Sequence, residues 1–323
     1  MPLLYEQPDP SLLLPLLRSH LPTSLSVFSA LLTPGNPLKV SATFAPTDIP
    51  DHGEHLGGKR RVPWVILIDA SSQFRFFCDP TPCETIPSRE EREDRDAESL
   101  LESVLREVVE RASRENRDMV RIGAIPDQWT SVVERVTGVE CESASRVWCD
   151  ASFYAKGTCS PVVAIQEPLN PPPGYDFRAA REEDVPVILS TSGVPHLPSY
   201  LSSRLAHTSC LVSVPSAGAS GDRAQVELVA HVTTHRDGSL GTLYVDPAHR
   251  RLGLARLVML HRLCEMRRGG GHGNAGYCYV SRNNEGSRAS MKSLGWRESE
   301  RDVWWDIVDV KQWEARREST TRN

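Results

Sequence analysis

One stretch in the C-terminal half has the residue types and spacing of an anion-binding site. A predicted strand at residues 240–245 leads into a loop that opens a helix. The first turn of a helix leaves backbone N–H groups unpaired at the positive end of its dipole, so a pyrophosphate can bind there. Gly253 allows close approach because it has no Cβ, and Arg250 and Arg251 add positive charge. The residues assigned to this site are Arg250, Arg251, Leu252, Gly253, Leu254 and Ala255.

The order of these residues matches a known signature. Arg250-x-x-Gly253-x-Ala255 resembles the Q/R-x-x-G-x-G/A signature of the GNAT superfamily of acyl-CoA N-acyltransferases. Without that signature, a lone glycine before a helix would more often be a structural helix start. Residues 237–250 are similar to the strand and loop of the glycine N-acyltransferase-like branch, and residues 198–205 resemble its preceding helix. We therefore interpret the loop as an acyl-CoA site.

A second motif lies downstream, at residues 280–296. In the superfamily this block has an Asn followed by a small residue, a helix and a Gly-aromatic ending, and the same order occurs here. The whole resemblance covers residues 175–309, and two motifs in the expected order support it better than either does alone. The residues in those places are Asn284, Ser287, Gly295 and Trp296.

The resemblance implies a fold and a domain order. We expect an α/β (α+β) GNAT fold, a mixed central sheet flanked by helices, at residues 175–316, and a degenerate acyltransferase-like α/β domain at residues 1–167. The N-terminal half has no loop like the one at Arg250, so no coenzyme is expected there. Consecutive prolines make residues 168–174 the predicted linker, and residues 317–323 are a tail. A length of 323 residues fits two domains of roughly 150 residues each.

The resemblance also implies how the co-substrate binds. The pantetheine arm of acetyl-CoA, or of another acyl-CoA, would lie along Leu243, Tyr244 and Val245 and pair with their backbone. A backbone N–H near Tyr244 or Val245 would stabilise the oxyanion that forms when an amine attacks the thioester. Asn284 and Ser287 would hold the coenzyme from the second motif. The implied activity is acyl-CoA-dependent N-acyl transfer, most simply N-acetyl transfer, without a metal.

An ammonium substrate must first lose a proton, so a base is needed near this strand. Glycine N-acyltransferases carry a glutamate there, but the matching residue is Ser239, which is not a base at neutral pH. The nearby candidates are His231, His235 and Asp237. The last two fall at a strand end and turn, where a solvated polar residue is the commoner role. His231, within a strand, could equally be a hydrogen-bonded core histidine.

The proton donor for the departing thiolate is also open. Many relatives carry a tyrosine on the last helix, whereas Met291 stands at that point here, so Tyr279 or water is the alternative. We expect residues 198–206 and 302–306 to wall the acceptor pocket. The sequence does not distinguish among amine acceptors, acyl chain lengths or oligomeric states.

Two other functions compete with an active transferase. The missing glutamate and tyrosine motivate a catalytically inactive acyl-CoA-binding or scaffold protein with the same fold. Dinucleotide binding is the weaker alternative, because no G-x-G-x-x-G follows an early strand and the glycine run at residues 269–273 follows a helix.

Apolar spacing predicts the main elements. Residues 64–69 and 74–77 should pair across a turn, and a capping box at Ser88 and Glu91 should begin a long amphipathic helix. Residues 35–61 are typical of an irregular segment, with low order expected at 51–60. Further strands are predicted at 120–124, 147–155, 177–180, 210–214, 226–234 and 302–306, helices at 127–137, 182–190 and 198–206, and a turn at 216–223.

Composition limits the partners and the compartment. A net charge of −5 without a Lys/Arg stripe argues against nucleic-acid binding. The eight cysteines show no CxxC pair, which is typical of free thiols in a reducing compartment. No basic leader opens the sequence, and its apolar run at residues 12–17 contains Pro15 and is too short to cross a bilayer. We expect a cytoplasmic or nuclear protein with no membrane partner.

Overall fold

The structure is a computed structural model that describes residues 3–20, 24–32, 38–50, 63–70, 73–79, 87–139, 142–150, 169–213, 226–268, 275–298 and 302–321. Several predictions lie outside these residues: the low order at 51–60, the turn at 216–223, the glycine run at 269–273 and the end of the strand at 147–155. The side chains of the predicted capping box, Ser88 and Glu91, lie outside them too.

The strands and helices are numbered separately in chain order. The strands are β1 (Tyr5–Glu6), β2 (Lys39–Ala42), β3 (Trp64–Asp69), β4 (Phe74–Asp79), β5 (Met119–Pro126), β6 (Glu142–Asp150), β7 (Tyr175–Ala179), β8 (Thr208–Ser213), β9 (Glu227–Thr234), β10 (Leu240–Val245), β11 (Ala275–Val280), β12 (Arg297–Glu298) and β13 (Val303–Asp309). The helices are α1 (Leu14–Ser19), α2 (Leu25–Leu32), α3 (Pro87–Arg114), α4 (Thr130–Thr137), α5 (Val185–Thr191), α6 (Pro198–Ser202), α7 (Leu254–Arg268), α8 (Glu285–Ser293) and α9 (Val310–Thr321), with short 3-10 turns at Pro10–Leu13, Asp127–Trp129, Glu182–Asp184, Leu205–His207 and Pro247–His249.

The chain divides into two compact units, Met1–Ser145 with Ser299–Asn323, and Arg146–Glu298. In the first unit the strand order is β1-β2-β3-β4-β5-β13. The predicted hairpin of β3 and β4 is confirmed, with Asp69 opposite Phe74 next to the turn. Helix α3 packs against this sheet through the predicted apolar stripe, whose buried members are Ala97, Leu101, Val104, Leu105, Val108 and Ala112.

The C-terminal boundary differs from the sequence-based domain assignment, which gave residues 175–316 to the second domain. Residues 299–323 fall in the first unit because β13 pairs antiparallel with β5 at seven positions, from Val303 opposite Pro126 to Asp309 opposite Met119. Trp304, in the segment 302–306 that was expected to wall an acceptor pocket, packs against the core of the first unit and donates its Nε1–H to Asp127 Oδ1 at 2.7 Å.

In the second unit the strand order is β11-β10-β9-β8-β7. Strands β7 to β10 are antiparallel, whereas β10 and β11 are parallel, with α7 as the connection between them. Helix α7 closes one face of the sheet, where Leu254, Val258 and Met259 share a buried cluster with Val232 and Leu240. The sheet is therefore mixed and flanked by helices, as predicted. The helix predicted at 198–206 is shorter, because α6 ends at Ser202 and a 3-10 turn follows.

Candidate functional site

The loop between β10 and α7 changes direction twice before the helix begins. Asp246 caps the 3-10 turn at Pro247–His249 by accepting the Ala248 N–H at 2.8 Å. Two left-handed residues follow, Arg251 at φ 67° and Gly253 at φ 74°. The Leu257 N–H donates to the Gly253 carbonyl oxygen at 3.1 Å, so the helical ladder starts at the glycine. The N–H groups of the first helical turn therefore face out of the loop.

The surroundings of this helix start are open and positively charged. A Cβ placed on Gly253 would meet nothing within 4 Å. Arg250, Arg251 and Leu252 are exposed, and Arg250 is held beside the strand by an Nε–H bond to the Val245 carbonyl oxygen at 3.2 Å. Leu254, the first residue of α7, is buried and anchors the helix start. Exposed N–H groups, the helix dipole and two guanidinium groups are features that attract an anion such as a diphosphate.

Strand β10 carries an irregularity where the sequence places the reacting group. Gly241 lies opposite Thr233 and Tyr244 opposite His231, so β10 has one extra residue, and Thr242 takes φ 50°. The described pairing of β10 with β11 is at Leu240 opposite Cys278. Beyond that point β10 continues to pair with β9 as far as Val245. The backbone of Leu243 to Val245 thus lies past the described pairing with β11, where an extended ligand could add to the edge.

His231, the first candidate base, is fully enclosed. Its Nε2 lies 3.0 Å from Thr191 Oγ1, and its ring stacks on Tyr244 with the centroids 5.6 Å apart. Burial lowers the pKa of His231 from the usual 6.5 to about 4, against the opposing pull of the Asp184 carboxylate and the Thr242 carbonyl. The imidazole is therefore neutral at pH 7 and weakly basic.

His235, the second candidate, lies in a cluster of rings at the end of β9. Its Nδ1 is 2.8 Å from the hydroxyl of Tyr200 on α6, and the two rings stack at 6.0 Å. The ring of His196 stacks on Tyr200 at 5.4 Å. A Cβ on Gly241 would lie 2.1 Å from His235 Nε2, so this nitrogen points at β10 next to its extra residue. His235 is only half-buried.

Asp237, the third candidate, has a turn-forming role. Its Oδ1 accepts both the backbone N–H of Ser239 at 3.0 Å and the Ser239 hydroxyl at 2.6 Å. The Tyr277 hydroxyl donates to the Asp237 carbonyl oxygen at 2.6 Å. The carboxylate is therefore committed to the turn that joins β9 to β10. Ser239, at the position of the family's glutamate, is its partner in that turn.

The residues of the second motif are arranged as a helix cap. Asn284 Oδ1 accepts the Ser287 N–H at 3.0 Å and closes the first turn of α8, where both residues are accessible. Met291, on the same helix, is buried in the core. Tyr279, the alternative proton donor, lies on β11 with its ring edge-on to Tyr277 at 5.5 Å. The structure thus brings the loop, β10 and His235 into one unit, and Asn284 begins the helix after β11.

Three contributors to the candidate site were not predicted from the sequence: Tyr200, His196 and Gly241. The contact of Tyr200 with His235 spans 35 residues, and no periodicity links the two. The resemblance of residues 198–205 to the family's helix was the one signal that placed Tyr200 near the acceptor side. Neither motif indicates a role for Gly241.

The described residues also limit other kinds of site. No group of three or more His, Cys, Asp or Glu side chains among them could hold a metal ion. Within the same residues, no helix is long and apolar enough to cross a bilayer. Cys78, Cys210, Cys264 and Cys278 are buried and form no disulfide.

Comparisons with known proteins agree with this architecture. A family model described as FR47-like protein matches residues 218–305, which contain β9, β10, α7 and β11. No curated protein matches the chain. A solved structure of a Drosophila protein is 16% identical, covers 95% of this chain and 99% of its own, and has a TM-score of 0.59. At that identity the likeness shows the fold alone.

Two further solved structures have lower scores. A tandem GNAT protein from the clavulanic acid biosynthesis pathway is 15% identical, covers 95% of this chain and 98% of its own, and has a TM-score of 0.47. A GCN5-related N-acetyltransferase from Kribbella flavida is 12% identical, covers 76% of this chain and 86% of its own, and has a TM-score of 0.41. Neither score is high enough to argue from. The mixed α/β fold that the sequence predicts is confirmed.

Proposed function

We propose that this protein is an N-acyltransferase of the glycine N-acyltransferase-like branch, which transfers an acyl group from acyl-CoA, most simply acetyl-CoA, to an amine. The amine attacks the thioester carbonyl directly, the C–S bond breaks, and CoA leaves as a thiol. The observation that carries the proposal is the open, positively charged helix start after Pro247.

The coenzyme arm would follow β10 away from this loop. The diphosphate would bind the N–H groups of residues 253–255 with Arg250 and Arg251, and Leu252 would cover it. The pantetheine amides would then pair with the backbone of Leu243 to Val245, beyond the described β10–β11 pairing. Asn284 and Ser287, at the start of α8, are the proposed contacts from the second motif.

His235 is the residue we propose as the base. It is half-buried, and its Nε2 points at Gly241, next to the irregularity of β10. His231 is enclosed, and its low pKa makes it a weak base. The Asp237 carboxylate already accepts two hydrogen bonds from Ser239. Tyr279 or water then returns a proton to the thiolate.

Calorimetry with acetyl-CoA tests the coenzyme site. We expect the full chain to bind acetyl-CoA and Gly253→Glu to bind it at least about a hundredfold more weakly, because a carboxylate would repel the diphosphate and occupy its place. Gly174→Glu is the matched control. Gly174 also has a positive φ, 86°, and open space around it, so this variant has the same added charge and backbone strain away from the loop.

The calorimetric result decides between clear outcomes. If wild type and Gly253→Glu bind acetyl-CoA equally well, the coenzyme site is not at this loop. If the folded wild type does not bind acetyl-CoA, the proposed transferase function is rejected. Release of free CoA thiol, measured over a panel of amines, then tests turnover. Binding of acetyl-CoA without thiol release from any amine would instead make this an inactive coenzyme-binding protein.

A further inference from the structure

Two arginines of the second unit are buried side by side at the end of β9. Arg204 follows α6 and is 5% exposed, and Arg262, on α7, is 7% exposed. Both guanidinium groups converge on Thr234. Arg204 donates from Nε to its carbonyl oxygen at 2.9 Å, and Arg262 donates from Nε to its hydroxyl at 2.8 Å. Two positive charges thus lie within a few ångströms of one residue.

Neither arginine has a carboxylate partner within the described residues. Arg204 makes one further hydrogen bond, from Nη2 to the His235 carbonyl oxygen at 3.4 Å, and the Nη groups of Arg262 make none to the described residues. The carboxylates of Asp237 and Glu265 act on the pair only through space. Buried arginines are normally ion-paired, because an uncompensated buried charge is costly.

His207 is the third member of this cluster. It ends the 3-10 turn after Arg204, and its backbone N–H donates to the Arg204 carbonyl oxygen at 2.8 Å. Burial, together with the positive charges of Arg204 and Arg262, lowers the pKa of His207 to about 4. Burial also lowers the pKa values of both arginines; the charge of Arg236 lowers that of Arg204 further, and the charge of Arg204 lowers that of Arg262. The charges of both Arg204 and Arg262 act on the His207 ring.

The cluster is remote from the loop that begins α7. Thr234 pairs with Leu240, at the start of β10, whereas the loop follows Val245 at its other end. Six strand residues separate the two places by about 15 Å. Arg262 lies eight residues into α7, about 12 Å along the helix from its start. A diphosphate bound at Gly253 would not reach the cluster.

We propose that Arg204, Arg262 and His207 form a second anion site, which binds a small oxyanion such as phosphate or a free carboxylate. The anion accepts hydrogen bonds from the N–H groups that the two arginines do not use among the described residues. It supplies a negative charge that those residues do not place beside the arginines, and it holds together the end of β9, the turn after α6, and α7. This site does not depend on the proposed acyl transfer.

Thermal unfolding of the full chain tests the proposal, with sodium phosphate compared with sodium chloride at equal ionic strength and pH. We expect phosphate to raise the unfolding temperature of the wild type and of Gly253→Glu, in which the loop is blocked. In Arg262→Gln we expect phosphate affinity to fall about tenfold or more, the loss expected for one charge-assisted hydrogen bond. Arg181→Gln is the control, because it removes the same charge from a side chain that is 61% exposed.

A second readout covers the case in which Arg262→Gln fails to fold. Phosphate should shift the imidazole C–H resonances of His207 in the wild-type spectrum, and His207→Gln should bind phosphate more weakly than wild type. Equal stability in phosphate and chloride overturns the proposal. So does loss of the phosphate effect in Gly253→Glu, which would place the ion in the loop. An equal loss in Arg181→Gln would reveal general charge screening instead of a site.

Discussion

The hydroxyl of Tyr200 lies 2.8 Å from Nδ1 of His235, and the two rings stack. Burial, together with the nearby Asp237 carboxylate, raises the pKa of Tyr200 to about 12, so the phenol stays neutral over the working range of an enzyme. A neutral hydroxyl fixed on one ring nitrogen sets the plane of the imidazole. The other nitrogen then points at Gly241. Tyr200 is thus a positioning residue for the proposed base.

Removal of this hydroxyl should slow turnover without weakening coenzyme binding. In Tyr200→Phe we expect kcat to fall about five- to tenfold, the value of one hydrogen bond, with KM for acetyl-CoA unchanged. Tyr175→Phe is the matched control, because the Tyr175 hydroxyl makes a similar bond to His249 Nδ1 at 2.9 Å, next to the loop. In steady-state kinetics, Tyr175→Phe should change only the KM for acetyl-CoA and leave kcat unchanged. Equal kcat losses in both variants would contradict a specific role for Tyr200.

A methyl group at Gly241 should displace the proposed base. The Cβ of Gly241→Ala would lie 2.1 Å from His235 Nε2, closer than atoms can approach, so the ring must move away from β10. We expect kcat to fall about a hundredfold, the lower range of loss for a general base, while acetyl-CoA still binds by calorimetry. Gly193→Ala is the control, since its Cβ would meet nothing within 4 Å. Full activity of Gly241→Ala would exclude His235 as the base.

Stability should decline in mild acid because of His231. Its pKa is about 4 when folded, against the usual 6.5, so between these values the unfolded chain binds a proton that the folded chain does not. The contribution is fully present above pH 6.5 and is lost as the pH falls towards 4, up to roughly 3 kcal/mol. Urea unfolding across this range should show a shallower pH dependence for His231→Gln than for wild type. Parallel curves would contradict the assignment.

The ion pair of Arg178 and Asp184 should support the start of α5. The two Nη groups of Arg178 donate to the two carboxylate oxygens at 2.6 Å each, and Asp184 also accepts the Arg181 N–H at 2.7 Å. Asp184→Asn should cost about 3 kcal/mol in the free energy of unfolding, because it leaves a mostly buried guanidinium without its counter-charge. Glu183→Gln, which removes an exposed pair with Arg181, should cost at most about 0.5 kcal/mol. Similar losses in both would contradict this ranking.

Local patterns predicted the elements that depend on neighbouring residues. The hairpin of β3 and β4 follows from two apolar runs with a turn between them, and α3 follows from its apolar stripe. The loop at Gly253 was predictable because a helix start is a local structure with its own residue preferences. The same reasoning could not find the early end of α6, where the Arg204 side chain turns inward to Thr234, 30 residues away.

The features that the sequence did not predict depend on contacts between residues far apart in the chain. Residues 303–309 have no local feature that assigns them to the first unit; the ladders with β5 and β6, more than 150 residues earlier, do so. The same holds for the candidate base, because three residues, His231, His235 and Asp237, are chemically suitable. His231 is buried, Asp237 is bonded within a turn, and His235 contacts Tyr200. Each of these differences is a property of the folded chain.

The extra residue in β10 shifts the phase of its side chains. In a regular strand, residues 241 and 244 would point to opposite faces of the sheet, but here Gly241 lies opposite Thr233 and Tyr244 opposite His231, on the same face. Deletion of Thr242 would restore strict alternation and still leave Tyr244 opposite His231, on the same face as Gly241. The irregularity of β10 could therefore be removed without reversing the faces of Leu243 to Val245.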